Sequence, residues 1–434
     1  MLFEKLTENG CYAFLKRESK TRYLFIEVIW LSLLLLLYGC KQSSDESEHQ
    51  LETDGISIKL ISPVRGISGD TVTIQGKNFM DDVKVTFGPF LSEILEVSSE
   101  RIITIVPEGV VSNTTVIVSL GGKISNPLTF HFQIMDKMEL ADPTIFLYQG
   151  IYYVYGTGGR GGDVNRGFLV YSSPDLRKWH GPKGVKQGYS LTKEDAFGDW
   201  GFWAPQLFVY QDEIYMAYTA NENIAIAKSH SPLGPFVGHA LLIGPTRQID
   251  PYVFLDDDGK IYIYYVRLSG GNKIFVAELN EDLTAIVPGT ELLCIQATDV
   301  WEDTQQVNWK VTEGPTLIKK EGKYYLFYSA NHFENRDYAV GYAVSDSPRG
   351  PWVKSSQNPI LSWGMLGIHG TGHGDFFQDK NNENHYVFHT HFDNFRVQPR
   401  LTALIKVEFS GLNSYVPMRV SFSKESFKYL LINN

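Results

Sequence analysis

Cysteine is nearly absent. Cys11, Cys40 and Cys294 are the only three in 434 residues. They lie far apart with no Cys-x-x-Cys pair, so neither a disulfide framework nor a zinc site is signalled. Cys294 sits in the apolar run Glu291-Leu-Leu-Cys-Ile295 and is expected as a buried strand residue. Positive charge is also short. The 39 Lys and Arg face 49 Asp and Glu, a net charge of −10, and no Lys/Arg block follows the N-terminal region. That balance argues against a nucleic-acid partner and fits a neutral substrate. What the chain has in quantity is aromatic side chains, with 24 Tyr and 26 Phe. Such residues favour pleated, half-buried surfaces, so the composition leans towards β structure. Aromatic faces also stack on sugar rings, although a β core accounts for most of them.

Only one long apolar run is present. Lys16, Arg17, Lys20 and Arg22 precede it, and it extends from Tyr23 to Gly39, densest over Leu31–Leu37. It ends at Gly39-Cys40, followed at once by the polar stretch Lys41-Gln-Ser-Ser-Asp-Glu-Ser-Glu48. A basic segment, a short apolar segment and a small residue before the cut make a signal peptide. Cys40 directly after the small residue resembles the bacterial lipoprotein signal, with Tyr38 an unusual member. The resemblance implies a leader over 1–39, a lipid on the Cys40 thiol and a tether over 40–55. It further implies anchoring to the bacterial cell envelope at the exposed outer membrane, beside other surface proteins of glycan uptake. The alternative is a single membrane-spanning anchor, for which the run is marginal against a bilayer core of about 30 Å.

Residues 56–134 read as short strands with alternating apolar residues bounded by Gly, Pro and Asn turns, the pattern of a small sandwich. The words Ile61-Ser-Pro, Gly69, Val72-Thr-Ile, Gly76, Asn78-Phe79 and Phe87-Gly88 resemble the immunoglobulin-like IPT/TIG domain. From Met138 a phrase of strand, tight turn and strand recurs. It opens with Ala141-Asp-Pro, Trp203-Ala-Pro, Ile249-Asp-Pro, Glu313-Gly-Pro and, in a degenerate copy, Gly372-His-Gly. Repeats of several strands at roughly 45–65 residues indicate propeller blades, because one sheet cannot cover both its faces alone. An all-β chain is therefore expected, with a five-bladed β-propeller over 138–434 behind the sandwich. A non-radial array of hairpins is the weaker alternative.

Residues that open the inner strands of a propeller gather at one mouth. Here they are Asp142, Trp203, Asp250, Glu313 and His373, read as one repeat position. Folding does not require acids there, and clustering them costs repulsion. Three carboxyls in one funnel suit glycoside hydrolysis, where one is protonated to serve the leaving oxygen and another is ionised. The Pro after Asp142, Asp250 and Gly314 is expected to hold the preceding residue extended. The run Asp256-Asp-Asp258 before Gly259 reads as a hairpin turn rather than a calcium loop.

Together, Ala-Asp142-Pro, Phe-Trp203-Ala-Pro, Ile-Asp250-Pro, Glu313-Gly-Pro and Gly-His373-Gly resemble glycoside hydrolase family 43 over about residues 138–410. The resemblance implies an inverting enzyme with Asp142 as general base, Glu313 as general acid and Asp250 tuning the acid. It implies that Trp203 lines a sugar subsite and that Arg400 reaches the pocket. His373 matches a histidine beneath the site that often binds a central calcium, through water or directly, and it is also expected to touch substrate. Gln206 departs from the acid many members carry after Trp-Ala-Pro, and His389-Thr-His391 matches no pattern. The implied activity is release of arabinofuranosyl or xylosyl units from plant polysaccharides or oligosaccharides. Exo-galactan and endo-arabinan cleavage stay open. So do a glycan-binding surface protein without turnover and a neighbouring glycosidase family with shifted acid roles.

Overall fold

A computed structural model describes residues 55–241, 247–411 and 418–433. The leader, Cys40 and all but the last residue of the tether lie outside the described residues. The first strands, from Ser57–Ser62 to Leu128–Phe132, form two sheets that face each other. Alternate residues point inwards, so Val72, Ile74, Val85, Phe87, Ile102, Val116, Val118 and Phe130 are fully buried in one core. Phe87 and Phe130 meet edge to face at 5.3 Å, the arrangement the ring quadrupole favours.

Five sheets follow. Their inner strands are Ala141–Tyr148, Trp203–Tyr210, Gln248–Leu255, Thr312–Lys320 and Gly372–Gln378. Each pairs antiparallel with the strand after its turn. Each inner strand lies against the next, and the fifth lies against the first, so the ring closes. The hydrophobic clusters fall between blades rather than within them. Tyr262, Tyr264 and Val266 pack on blade 4, while Ile261, Ile263 and Tyr265 of the same strand pack on blade 2. The period-2 alternation of side chains thus serves two neighbours, and strands covered on both faces read as nearly continuous apolar runs.

The last strand, Leu431–Asn433, returns to pair with Met135–Lys137, just after the sandwich, and with Lys178–Trp179 of blade 1. Asp70 of the sandwich is ion-paired with Lys178, and Arg177 donates to the Ser68 carbonyl at 2.7 Å. The sandwich is therefore docked on blade 1.

Two expectations need correction. Cys294 is in a strand, Leu292–Ile295, but half-buried, because that strand is the outermost of blade 3 and has a partner on one side only. The residues before proline are not extended. Asp142, Ala204, Asp250 and Gly314 have φ of 47°, 44°, 56° and 59°, and His373 joins them at 41°. At each of these points the ladder skips a residue, between Ala141 and Thr144 in blade 1 and at the matching place in the other four. A bulge with one left-handed residue inserts the extra residue and turns it towards the axis. The Asp256 run is a hairpin turn, as expected, with its first carboxylate held by Lys319 at 2.6 Å and the Tyr324 hydroxyl at 2.6 Å.

Candidate active site

The bulges set the true repeat register. Asp142, Ala204, Asp250, Gly314 and His373 are equivalent, and Trp203 and Glu313 stand one residue earlier. The five mouth residues therefore do not share one repeat position: Trp203 and Glu313 are conspicuous side chains, but the residue before the proline is the equivalent one. Both positions of a bulge still face the mouth, so the five residues are brought together. Asp142, Trp203, Asp250, Glu313, His373 and Arg400 all line one cavity of about 410 Å³, within the usual range for small-ligand sites.

A left-handed non-glycine residue costs on the order of 1–3 kcal/mol, so four of them need support. Each donates its N–H across to the preceding blade. Ala204 donates to Thr157 at 2.9 Å, Asp250 to Thr219 at 2.9 Å, His373 to Ser329 at 2.7 Å and Asp142 to Nδ1 of His389 at 3.1 Å. These acceptors hold matching places on the second strands. Blade 3 has Val266 there, which cannot accept. The Gly314 N–H turns instead to Oδ2 of Asp250, at 3.2 Å. Gly314 also has to be glycine, because a Cβ would come within 2.9 Å of the His373 ring.

The carboxyls sit in unlike surroundings. Oδ1 of Asp142 accepts from Arg400 at 2.9 Å and lies 3.3 Å from Nδ1 of both His373 and His389. Burial alone would raise this carboxyl, but the Arg400 guanidinium leads the influences that more than offset it and hold it well below the usual carboxylate range. Burial and the Arg400 charge keep His389 neutral, pushing it down to about 3. That leaves a lone pair for the Asp142 N–H. Glu313 is held by neutral donors, the Tyr338 hydroxyl at 2.9 Å and the Asn272 amide at 3.0 Å. Burial pushes Glu313 up to about 7; the Tyr338 bond opposes this and the charge of Asp142 adds to it. Burial, then the charges of Glu313 and Asp142, push Asp250 well above its ordinary value.

Four further residues build the site, and three of them carry no distinctive sequence signature. Trp309 donates its indole N–H to Oδ1 of Asn272 at 2.8 Å, which turns the amide nitrogen towards Glu313. Tyr338 binds Glu313 through its hydroxyl and stacks its ring on His389 at 5.7 Å. One rigid wall therefore runs from the acid to Asp142. Of these, only His389 had a findable signal, since it occupies the place of the hydroxyls Thr157, Thr219 and Ser329. Gln206, the departure noted above, joins blades 2 and 3 through both the N–H and the carbonyl of Val253, at 2.9 and 3.1 Å.

Calcium takes about six to eight oxygen ligands. Among the described residues, the one convergence of three or more candidate ligand atoms is Asp379, Glu383 and His385 in blade 5, not a set containing His373. The cavity beneath the acids, bounded by His373, Gln206 and Asp375 among others, measures about 20 Å³, room for about one water. Oδ1 of Asp142 is taken by Arg400 and Oδ2 of Asp250 by the Gly314 N–H. These residues do not fit a directly bound calcium.

The model of glycosyl hydrolases family 43 matches residues 136–412, and that of the IPT/TIG domain matches 57–132. The chain belongs to glycosyl hydrolases family 43. Its propeller is similar to a crystal structure titled endo-1,4-β-xylanase from Bacteroides thetaiotaomicron, at 39% identity over 69% of this chain and 99% of that one, with a TM-score of 0.62. A β-D-galactofuranosidase of Aspergillus niger is 25% identical over 65% of this chain and 83% of its own. A xylosidase/arabinosidase of Humicola insolens is 28% identical over 53% of this chain and 84% of its own. This family 43 chain is a glycosidase that hydrolyses O-glycosyl bonds, carried on an all-β propeller behind an immunoglobulin-like domain.

Proposed function

We propose that the enzyme removes arabinofuranosyl or xylosyl units from plant polysaccharides or their fragments, with inversion at the anomeric carbon. The observation that carries this reading is the unlike surroundings of two buried carboxyls in one cavity, Asp142 against the Arg400 guanidinium and Glu313 against the neutral donors Tyr338 and Asn272. Relatives named as xylosidase/arabinosidase and arabinoxylan arabinofuranohydrolase support the sugar class.

In this mechanism ionised Asp142 takes a proton from a water as that water bonds to the anomeric carbon. The carbon–oxygen bond to the leaving group breaks, and Glu313 delivers its proton to the departing oxygen. Asp250 is assigned to positioning and tuning the acid and is itself held by the Gly314 N–H. Arg400 holds Asp142 ionised, and Trp203 offers an aromatic wall to the sugar. Purified protein is assayed on 4-nitrophenyl α-L-arabinofuranoside and β-D-xyloside, with proton NMR of the first-formed anomer. Hydrolysis with inversion is expected; retention, or sugar binding without release, contradicts the reading. The proposal also places the enzyme on the outer surface of a bacterial envelope through a lipid on Cys40. Cys40→Ser should then move the protein from the membrane to the soluble fraction, and an unchanged distribution removes the anchor.

A further inference from the structure

Two large aromatic side chains stand in solvent beside the cavity without lining it. Trp363, in the single helical turn Trp363–Leu366, is 50% exposed. Its indole lies within 9° of parallel to the His369 imidazole, 5.5 Å away. One indole face is thus backed and fixed, and the ring remains half open to water. Phe395 is 91% exposed. It tips a turn made by the Asp393 carboxylate, which accepts the N–H groups of Phe395 and Arg396 at 2.8 Å each.

Both turns are fastened to the pocket wall by one residue. The Arg336 carbonyl faces Nδ1 of His369 at 3.1 Å, and the Arg336 guanidinium donates to the Asn394 carbonyl at 2.6 Å. His391 completes the brace, with its N–H on the His369 carbonyl at 3.0 Å and its Nε2 2.8 Å from the Phe333 carbonyl. Phe333 is a wall of the catalytic cavity, under the Arg400 guanidinium at 4.5 Å. His369 precedes His373 by four residues, which span at most about 14 Å of extended chain. The Trp363 platform is therefore a short oligosaccharide's reach from the cavity.

The chemistry around these rings selects the ligand. A protein or lipid partner favours a contiguous apolar patch. Here the rings are separated by His369, Arg336 and the Arg396–Asp393 ion pair at 2.9 Å, so the surface alternates flat apolar faces with polar groups of both signs. A neutral polyhydroxylated chain, with apolar ring faces and hydroxyl edges, matches that alternation. We infer that Trp363, backed by His369, together with Phe395 forms a second glycan-stacking surface that holds the unreacting part of a polymeric substrate while its terminal or branch unit occupies the cavity. The inference rests on the polysaccharide reading above.

Trp363→Ala and Phe395→Ala are assayed on soluble arabinoxylan, on linear arabinan and on 4-nitrophenyl α-L-arabinofuranoside. Loss of a stacking ring should lower kcat/KM on the cleaved polysaccharide by roughly tenfold, through KM. The aryl glycoside rate should stay unchanged, and Trp363→Phe should keep most of the polymer activity. An unchanged polymer rate, or equal loss on polymer and aryl glycoside, overturns the surface. Gel retardation of Glu313→Gln protein by the same two polysaccharides, with and without Trp363→Ala, needs no turnover. Retardation that Trp363→Ala weakens supports the surface even if the wild type cleaves no aryl glycoside. Retardation by neither polysaccharide, or insensitivity to Trp363→Ala, rules it out.

Discussion

The two sides of the catalytic cavity make opposite use of the same residue type. On one side Asp142 is ringed by Arg400, His373 and His389 and is held ionised despite burial. On the other, Glu313 meets neutral donors from Tyr338 and Asn272 and the charge of Asp142 across the cavity, and burial carries it to about 7. Both are buried carboxyls at the rim of the same propeller. Burial pushes the two in the same direction, so the direction in which each ends is decided by its partners. A cationic wall facing a neutral one is what gives one cavity an acid and a base at the same pH.

Removing either carboxyl breaks the comparison outright. Asp142→Asn and Glu313→Gln should each lower kcat/KM by about 10²–10⁴-fold on natural-type linkages. The two are told apart by leaving group. Glu313→Gln should recover on an activated aryl glycoside whose departing oxygen needs no proton, and Asp142→Asn should not. Equal recovery in both variants would show that the roles are assigned wrongly.

Arg400→Gln blurs the comparison by weakening the cationic wall. An Arg beside a carboxylate typically lowers its pKa by about 1–3 units. Wild-type activity should fall on the alkaline side as Glu313 loses its proton near pH 7, and on the acid side only below the usual carboxylate range. In the variant the acid limb should move up by about one unit or more, while the alkaline limb, on which Arg400 is the smallest of the named influences, should move up less. A pH–rate profile of kcat/KM, with thermal unfolding to confirm a folded protein, reads this directly. A shift of the alkaline limb alone would count against it.

Trp309→Phe tests the neutral wall. It keeps a ring in the cavity and removes the N–H that orients Asn272. A lost hydrogen bond of about 1 kcal/mol corresponds to a roughly fivefold fall in kcat/KM. If stacking alone matters, the rate will not change. The smallest effect is expected from Val266→Thr, which supplies blade 3 with the hydroxyl the other blades have. The Gly314 N–H should then leave Asp250, with a change in kcat/KM of about fivefold or less. A profile superimposable on the wild type would show that this bond has no bearing on the acid.

Much of this was legible in the sequence. Five recurring phrases carried the propeller, because each blade needs apolar faces on both sides and each bulge is marked by a following proline or glycine. Asp142, Asp250 and Glu313 stood out as acids where folding asks for none. The left-handed bulges did not, because proline usually excludes compact geometry for its predecessor, and here cross-blade hydrogen bonds offset that preference. Trp309, Asn272 and Tyr338 were hidden for another reason. They lie outside the repeated phrase, in loops and at strand ends, and only ring closure brings them to Glu313. Arg400 was placed at the pocket, but that it grips Asp142 rather than standing free for substrate depends on side-chain geometry that spacing does not encode.

The central claim is that Asp142 and Glu313 differ in protonation because their neighbours differ. Carbon-13 NMR of carboxyl-labelled protein, with each signal assigned by its loss in Asp142→Asn or Glu313→Gln, measures this directly. The account predicts a Glu313 midpoint near 7 and an Asp142 signal that stays ionised down through the range where ordinary carboxylates protonate. Coincident titration of the two at an ordinary carboxylate pH would contradict it.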